Sequence, residues 1–213
     1  MKGVKFGGLH SFYEWGLILS EKEIESPKPK TKTVDVDGAD GVLDYTEAFG
    51  DVKYQNRQLT FKFYKANIVP DGFLALFSLV QNILHGKKLQ VILDDDPAHY
   101  YLGRVTINEW KSNKRLGEIT IEVDADPYKY KVTETVVTRA VTGSADITLA
   151  NSRKPVVPTI TTNAAMTIAF GGYTAAVQAG TFRLPELQLQ AGQNTVKVTG
   201  TGNITFRYRE GSL

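Results

Sequence analysis

The stretch KTKTVDVDGADGVLDYTEAFGDVKYQNRQLTFKF, Lys30 to Phe63, constrains this chain more than any other. Apolar and polar residues alternate at both of its ends, the period-two signature of β-strand. Leu59, Phe61 and Phe63 fall on one face, with Thr60, Lys62 and Tyr64 on the other. Between the alternating ends lie Asp35, Asp37, Asp40, Asp44, Glu47 and Asp51, with no Lys or Arg from Thr33 to Val52. Within that span Asp35 and Asp37 are predicted to share one strand face, opposite Val34 and Val36. The pattern describes two strands joined by a long acidic excursion, and it contains no set of residues suited to catalysis.

Around this frame the chain reads as mostly strand. Gly3–Phe6 and Glu14–Leu19 are short alternating runs around a Gly7-Gly8 turn. Ser26–Lys32 carries Pro27 and Pro29, which lack the donor a central strand needs, so it is predicted to be an extended connector. One helix is expected, after Pro70. Asp71 has the oxygen to cap its orphan amides. Phe73, Leu76, Phe77, Val80, Ile83 and Leu84 recur at helical spacing, and Gly86 suits the terminating position. The breadth of that stripe predicts a helix lying on a sheet. Lys88–Leu93, Tyr100–Trp110 and Gly117–Ala125 follow as strands, the last two forming a hairpin through KSNKRL.

The texture changes near Tyr130. Residues 1–131 hold 18 Lys and Arg against 19 Asp and Glu, whereas residues 132–213 hold only 7 against 4. The second part is rich in Thr, Val, Ala, Gly and Asn. About eight short strands are expected there: Thr135–Arg139, Ile147–Leu149, Thr159–Thr162, Met166–Phe170, Tyr173–Val177, Thr181–Leu184, Thr195–Thr199 and Ile204–Tyr208. Turn signals at Gly171-Gly172, Ala191 to Asn194 and Gly200 to Asn203 separate them, which indicates a β-sandwich or jelly roll. Two domains are therefore expected, 1–131 and 132–213.

The chemistry is sparse. With no cysteine, disulfides, thiolate nucleophiles and Cys-based zinc sites are excluded. The net charge of +2 is too small to call for a nucleic-acid or membrane partner. No apolar run has the length of a secretion signal or a membrane span, so synthesis in a cytoplasm is expected. His10, His85 and His99 have no metal-ligand spacing; His85 ends the helix, where a cation suits the dipole. Asp94-Asp95-Asp96 could hold calcium but lacks EF-hand spacing, and reads as a strand-ending acidic turn. No dinucleotide or phosphate loop is present, and no cofactor or metal is implied. A sugar site on the second domain would have to stack on Phe170, Tyr173, Phe182, Phe206 or Tyr208, because both tryptophans, Trp15 and Trp110, lie in the first. From the residues alone, an interaction protein, a carbohydrate-binding β-sandwich and a hydrolase with an unrecognised site stay open.

Several segments, taken in order, resemble the distal tail protein family of long-tailed, non-contractile phages. They are the opening GVKF, EWGLIL, KTKTVDVDGADGVLDYTE, YQNRQLTFKF, the helix after Pro70 and the DADPYKY junction. NSRKPVVPTI, LQAGQNTV and the closing ITFRYREGSL complete the series, so the resemblance covers nearly the whole chain. It implies a mainly β fold: a tail-tube-like N-terminal domain with one helix, and a galectin-like C-terminal β-sandwich. It also implies a non-enzymatic virion protein of the tail tip. Six N-terminal domains would form a ring joining the tail tube protein to the tail-tip hub protein, with the C-terminal domains outside. In some members the ring also carries receptor-binding or peripheral baseplate proteins. DNA would pass through the ring without specific binding, and the six acids of the excursion are candidates to face that lumen.

Overall fold

The computed structural model describes residues 2–48, 50–66, 70–112 and 116–213, with backbone only for Pro70 and Asp71. The chain divides into two compact units, Met1–Pro127 and Tyr128–Leu213. Each has its own apolar core, and the architecture is mainly β with one helix.

In the first unit β1 (Val4–Phe6) and β2 (Leu9–His10) are joined by Gly7-Gly8, with Phe6 opposite Leu9. Both glycines have positive φ, 59° and 96°, which a two-residue hairpin of this hand requires. Next come β3 (Ile18–Ile24), β4 (Thr33–Asp35), β5 (Val42–Asp44) and β6 (Arg57–Ala66). The helix α1 (Pro70–Leu84) precedes β7 (Lys88–Leu93), β8 (Asp96–Ser112) and β9 (Leu116–Lys131). The main sheet runs β2-β1-β7-β8-β9-β6-β3, while β4 and β5 pair only with each other.

The apolar face of β6 supplies the centre of the core. Leu59, Phe61 and Phe63 are fully buried, and Phe6 meets both phenylalanines edge-on at 5.9 and 6.3 Å. Burial of each such ring stabilises the fold by about 1.5–3 kcal/mol. The stripe on α1 lands as its spacing requires, with Phe73, Val80 and Leu84 buried and Leu76, Phe77 and Ile83 packed beside them. One close approach fixes this helix packing, and a second holds β8 tight against β9. A methyl group at Gly117 would lie 2.3 Å from the Phe73 ring, and one at Gly103 would lie 2.7 Å from the Ala125 backbone.

Three local expectations need correction. Glu14–Leu19 is not one strand: the Glu14 carboxylate turns back to accept from the His10 amide at 2.7 Å, Gly16 has φ 64°, and β3 begins only at Ile18. The helix starts at Pro70, the favoured residue for a first helical position, so Asp71 lies inside the first turn and is not its N-cap. Asp71's side chain is outside the described residues, as are Asn113, Lys114 and Arg115 of the KSNKRL turn. Finally, Asp37 lies beyond the end of β4, in the turn that follows, so it does not share a strand face with Asp35.

The second unit is dominated by two long strands, β10 (Thr135–Asn151) and β15 (Gly192–Tyr208), paired over their whole length. Each merges two strands that the sequence suggested were separate. Gly200 to Asn203 is therefore strand and not turn. Its glycines serve a close approach: a methyl group on Gly202 would sit 2.6 Å from the Asn163 side-chain oxygen. The short strands β11 (Thr159–Thr162), β12 (Met166–Phe170), β13 (Tyr173–Val177) and β14 (Gly180–Arg183) complete a sheet in the order β13-β12-β15-β11-β14, with β10 also on β15. The last strand, β16 (Gly211–Ser212), pairs with Tyr130 and Lys129 at the end of β9.

Candidate functional site

The acidic excursion forms an arm. Past the end of the β3–β6 pair the two chains stay together as a ribbon: Gln55 N–H donates to Lys28 O and Lys30 N–H to Lys53 O, both at 2.8 Å, before β4 and β5 close the tip. Among the described residues from 25 to 56, none is buried. The ribbon thus has no core of its own, and a lone two-stranded ribbon is marginal in water.

Direct opposites in an antiparallel pair share a face. Val34 faces Leu43 across the ribbon, whereas Thr33 and Asp35 face Asp44 and Val42 on the other side. The tip therefore has one face of Val34 and Leu43, and another that carries Asp35 and Asp44 together with Thr33 and Val42. Leu43 is 61% exposed, Val42 57%, Val36 49% and Val34 42%. Val34 and Leu43 are thus an apolar pair in water on one face of a segment without a core, which marks that face as a surface to be covered, while Val42 stands on the acidic face.

All six acids singled out in the sequence, Asp35, Asp37, Asp40, Asp44, Glu47 and Asp51, are exposed. The arm brings them onto one element. Asp44 also braces the turn that follows β5, where its carboxylate accepts from the Thr46 hydroxyl at 2.6 Å and the Thr46 amide at 2.9 Å. Those two bonds, the hydroxyl's first, hold its carboxyl below its ordinary range. Asp44 and Glu47 line a shallow cleft of about 380 Å³ with Pro29, Thr31, Thr46 and Val52. Among the described residues no three His, Asp or Glu side chains are grouped to hold a metal ion.

The other candidates resolve into structure. His10 is buried, and both of its ring nitrogens are engaged. Nδ1 accepts from the Phe12 and Tyr13 amides at 3.1 and 3.3 Å, which places the proton on Nε2, and Nε2 donates to Asp94 at 2.9 Å. No lone pair is left to act as a base, and the buried Ser11 hydroxyl is taken by the Val4 amide. His85 Nδ1 accepts from the Ile107 amide at 3.1 Å, so this ring ties the helix end to β8 as an acceptor, correcting the expected cationic role. The Asp94-Asp95-Asp96 turn is divided among separate partners: His10 for Asp94, Lys2 and Lys22 for Asp95, His99 for Asp96. Of the rings proposed to stack on a sugar, Phe206 and Tyr208 are core residues, and Phe170 and Phe182 pack against that core.

Two buried charges escaped the sequence reading. Arg57 is 5% exposed, has no carboxylate hydrogen-bond partner among the described residues, and donates to the Pro127 carbonyl at 2.5 Å. Glu210 is 6% exposed and accepts from Lys131, Thr135 and Ser152. The only signal for Arg57 was its place at the head of the alternating run that ends in Phe63, on the same face as Leu59.

No protein-family model matches the chain, and no curated protein matches it in sequence. Its fold does match a solved structure. The crystal structure of the Dit protein (gp 19.1) of SPP1, described as a paradigm of the hub adsorption apparatus in phages that infect Gram-positive bacteria, superposes with a TM-score of 0.70. The likeness covers 100% of both chains at 15% sequence identity, so it is a likeness of fold over the full length.

Proposed function

We propose that this chain is a structural, non-enzymatic component of the tail tip of a long, non-contractile phage. Its first unit builds a six-fold ring, and the ring joins the tail tube to the tail-tip hub. The observation that carries this reading is the arm. A coreless ribbon with exposed Val34, Val36, Val42 and Leu43 needs a second surface, and in a ring each subunit receives its neighbour's arm. The full-length fold likeness to a hub adsorption protein supports the setting, and the number six comes from the family the sequence resembles. The second unit lies on the outside of the ring, where peripheral baseplate or receptor-binding proteins would attach.

The two faces of the arm divide the work. Val34 and Leu43 lie against the neighbouring copy, while Asp35 and Asp44 turn to the lumen. A negative wall offers DNA phosphates none of the cation contacts that retain them. Its reach is short, about 10 Å at moderate salt, so the acids act only on DNA that is passing. In reconstituted tails, changing Asp35 and Asp37 to Lys is expected to slow DNA ejection with assembly intact. An assembled ring with Asp35, Asp37 and Asp44 all on its outer surface would rule the lumen role out. The ring itself is tested by electron microscopy of the protein over a concentration series, alone and with tube and hub proteins. A persistent monomer in both settings would sink it.

A further inference from the structure

The last five residues, Arg209 to Leu213, form no part of the apolar core of the second unit, whose buried cluster runs from Val141 to Tyr208. Nor do residues 128–135, which enter that unit from the first. The two segments hold each other by polar contacts. Glu210 sits between them, its carboxylate accepting from Lys131 Nζ at 2.5 Å, Thr135 Oγ1 at 2.7 Å and Ser152 Oγ at 2.7 Å. The backbone repeats the connection. Lys131 N–H donates to Glu210 O at 3.1 Å, Arg153 and Lys154 N–H both donate to Gly211 O, and β16 pairs with Tyr130 and Lys129. Arg209 adds donors to the Lys131 and Val132 carbonyls. The fit is close, for a methyl group on Gly211 would lie 3.1 Å from Lys154 Cβ.

We propose that residues 209–213 are a latch: a short polar strap that holds the entering segment 128–135 in place and opens without unfolding the second unit. One buried carboxylate collects donors from the end of β9, the start of β10 and the loop after β10, so its loss releases all three together. Polar networks of this kind act as a unit, because the one buried acceptor serves all three part-exposed donors and they lose it together. The core is untouched, since every residue in it comes from elsewhere in the unit. Such local opening separates from global unfolding when the opened part buries little apolar surface, and here its only half-buried apolar side chains are Tyr128, Tyr130 and Leu213, outside the core cluster. With the latch open, residues 128–135 are released from the folded remainder of the second unit.

Hydrogen exchange on the full chain tests this, read at the amides of residues 129–132 and at Val196 and Val198 in β15. Glu210→Ala is expected to speed exchange at Lys131 on the order of 100-fold, leave the β15 amides unchanged, and create a new protease-sensitive site within 128–135. Glu210→Gln, which keeps one acceptor oxygen, is expected to give an intermediate increase. Unchanged exchange at Lys131 in both variants would overturn the latch. So would exchange rising equally at Val196 and Val198, or failure of Glu210→Ala to fold, because either makes the tail an inseparable part of the core.

Discussion

Replacing Val34 with Asp and Leu43 with Lys in one chain is expected to abolish ring assembly and leave the monomer's melting temperature unchanged. The two residues lie directly opposite each other on the arm, so the new charges attract across the ribbon and the net charge is kept. Neither side chain contributes to the core of the first unit, and both stand in water in the single chain. In the proposed ring they would be covered by the next copy. Each buried aliphatic contributes about 1.5–3 kcal/mol to the contact, so losing two weakens every interface by roughly 100-fold or more, before the cost of burying two charges. Sedimentation and electron microscopy, under conditions where the parent assembles, read the outcome. Rings formed as readily by the variant as by the parent would show that the arm's apolar face is not the contact, and another surface would then have to build the ring.

How much of this was legible beforehand depended on whether a residue's role is local. The strand face Leu59, Phe61, Phe63 and the helical stripe from Phe73 to Leu84 follow from spacing alone, and both became core. The Gly7-Gly8 hairpin was equally legible, because positive φ at two adjacent residues leaves few alternatives to glycine. Gly200 and Gly202 misled for the same reason. They look like turn residues, but they sit inside β15 where the loop carrying Asn163 passes too close for a side chain. That is a fact about residues some forty positions away, and no local pattern carries it. The arm was half legible. Its acids stood out by composition, whereas the apolar face appears only once the register sets Val34 against Leu43. Glu210 and Arg57 were illegible, because a charged residue in a strand-rich sequence reads as surface until its partners are known. Those partners, Lys131 and Pro127, are 79 and 70 residues distant.

The buried His10–Asp94 pair carries the second large effect. Asp94→Ala is expected to destabilise the first unit by about 2–4 kcal/mol, because it leaves the buried His10 Nε2–H and the Gly3 amide without an acceptor. Both donors converge on the same carboxylate oxygen, at 2.9 and 2.8 Å. An amide oxygen can take that place, so Asp94→Asn is expected to cost only about 1 kcal/mol, the difference between a charged and a neutral acceptor. Trp15 and Trp110 both lie in the first unit, so tryptophan fluorescence in a urea titration reports on it without the second. The pH dependence gives an independent check. Burial pushes the Asp94 carboxyl up, but the hydrogen bonds from His10 and the Gly3 amide outweigh it and hold it below its ordinary value of 3.8. A carboxyl lowered on folding stabilises fully above its unfolded value, and that stabilisation fades as pH falls through the lower folded value. The gap between the parent and Asp94→Asn should therefore be constant near neutrality and close only in acid below 3.8. A gap that instead shrinks as the pH is raised from neutrality would mean that a protonated cation, and not a neutral donor, faces Asp94 in the folded state. The proton assignment made from the Phe12 and Tyr13 amides would then be wrong, and with it the reason for excluding His10 as a base.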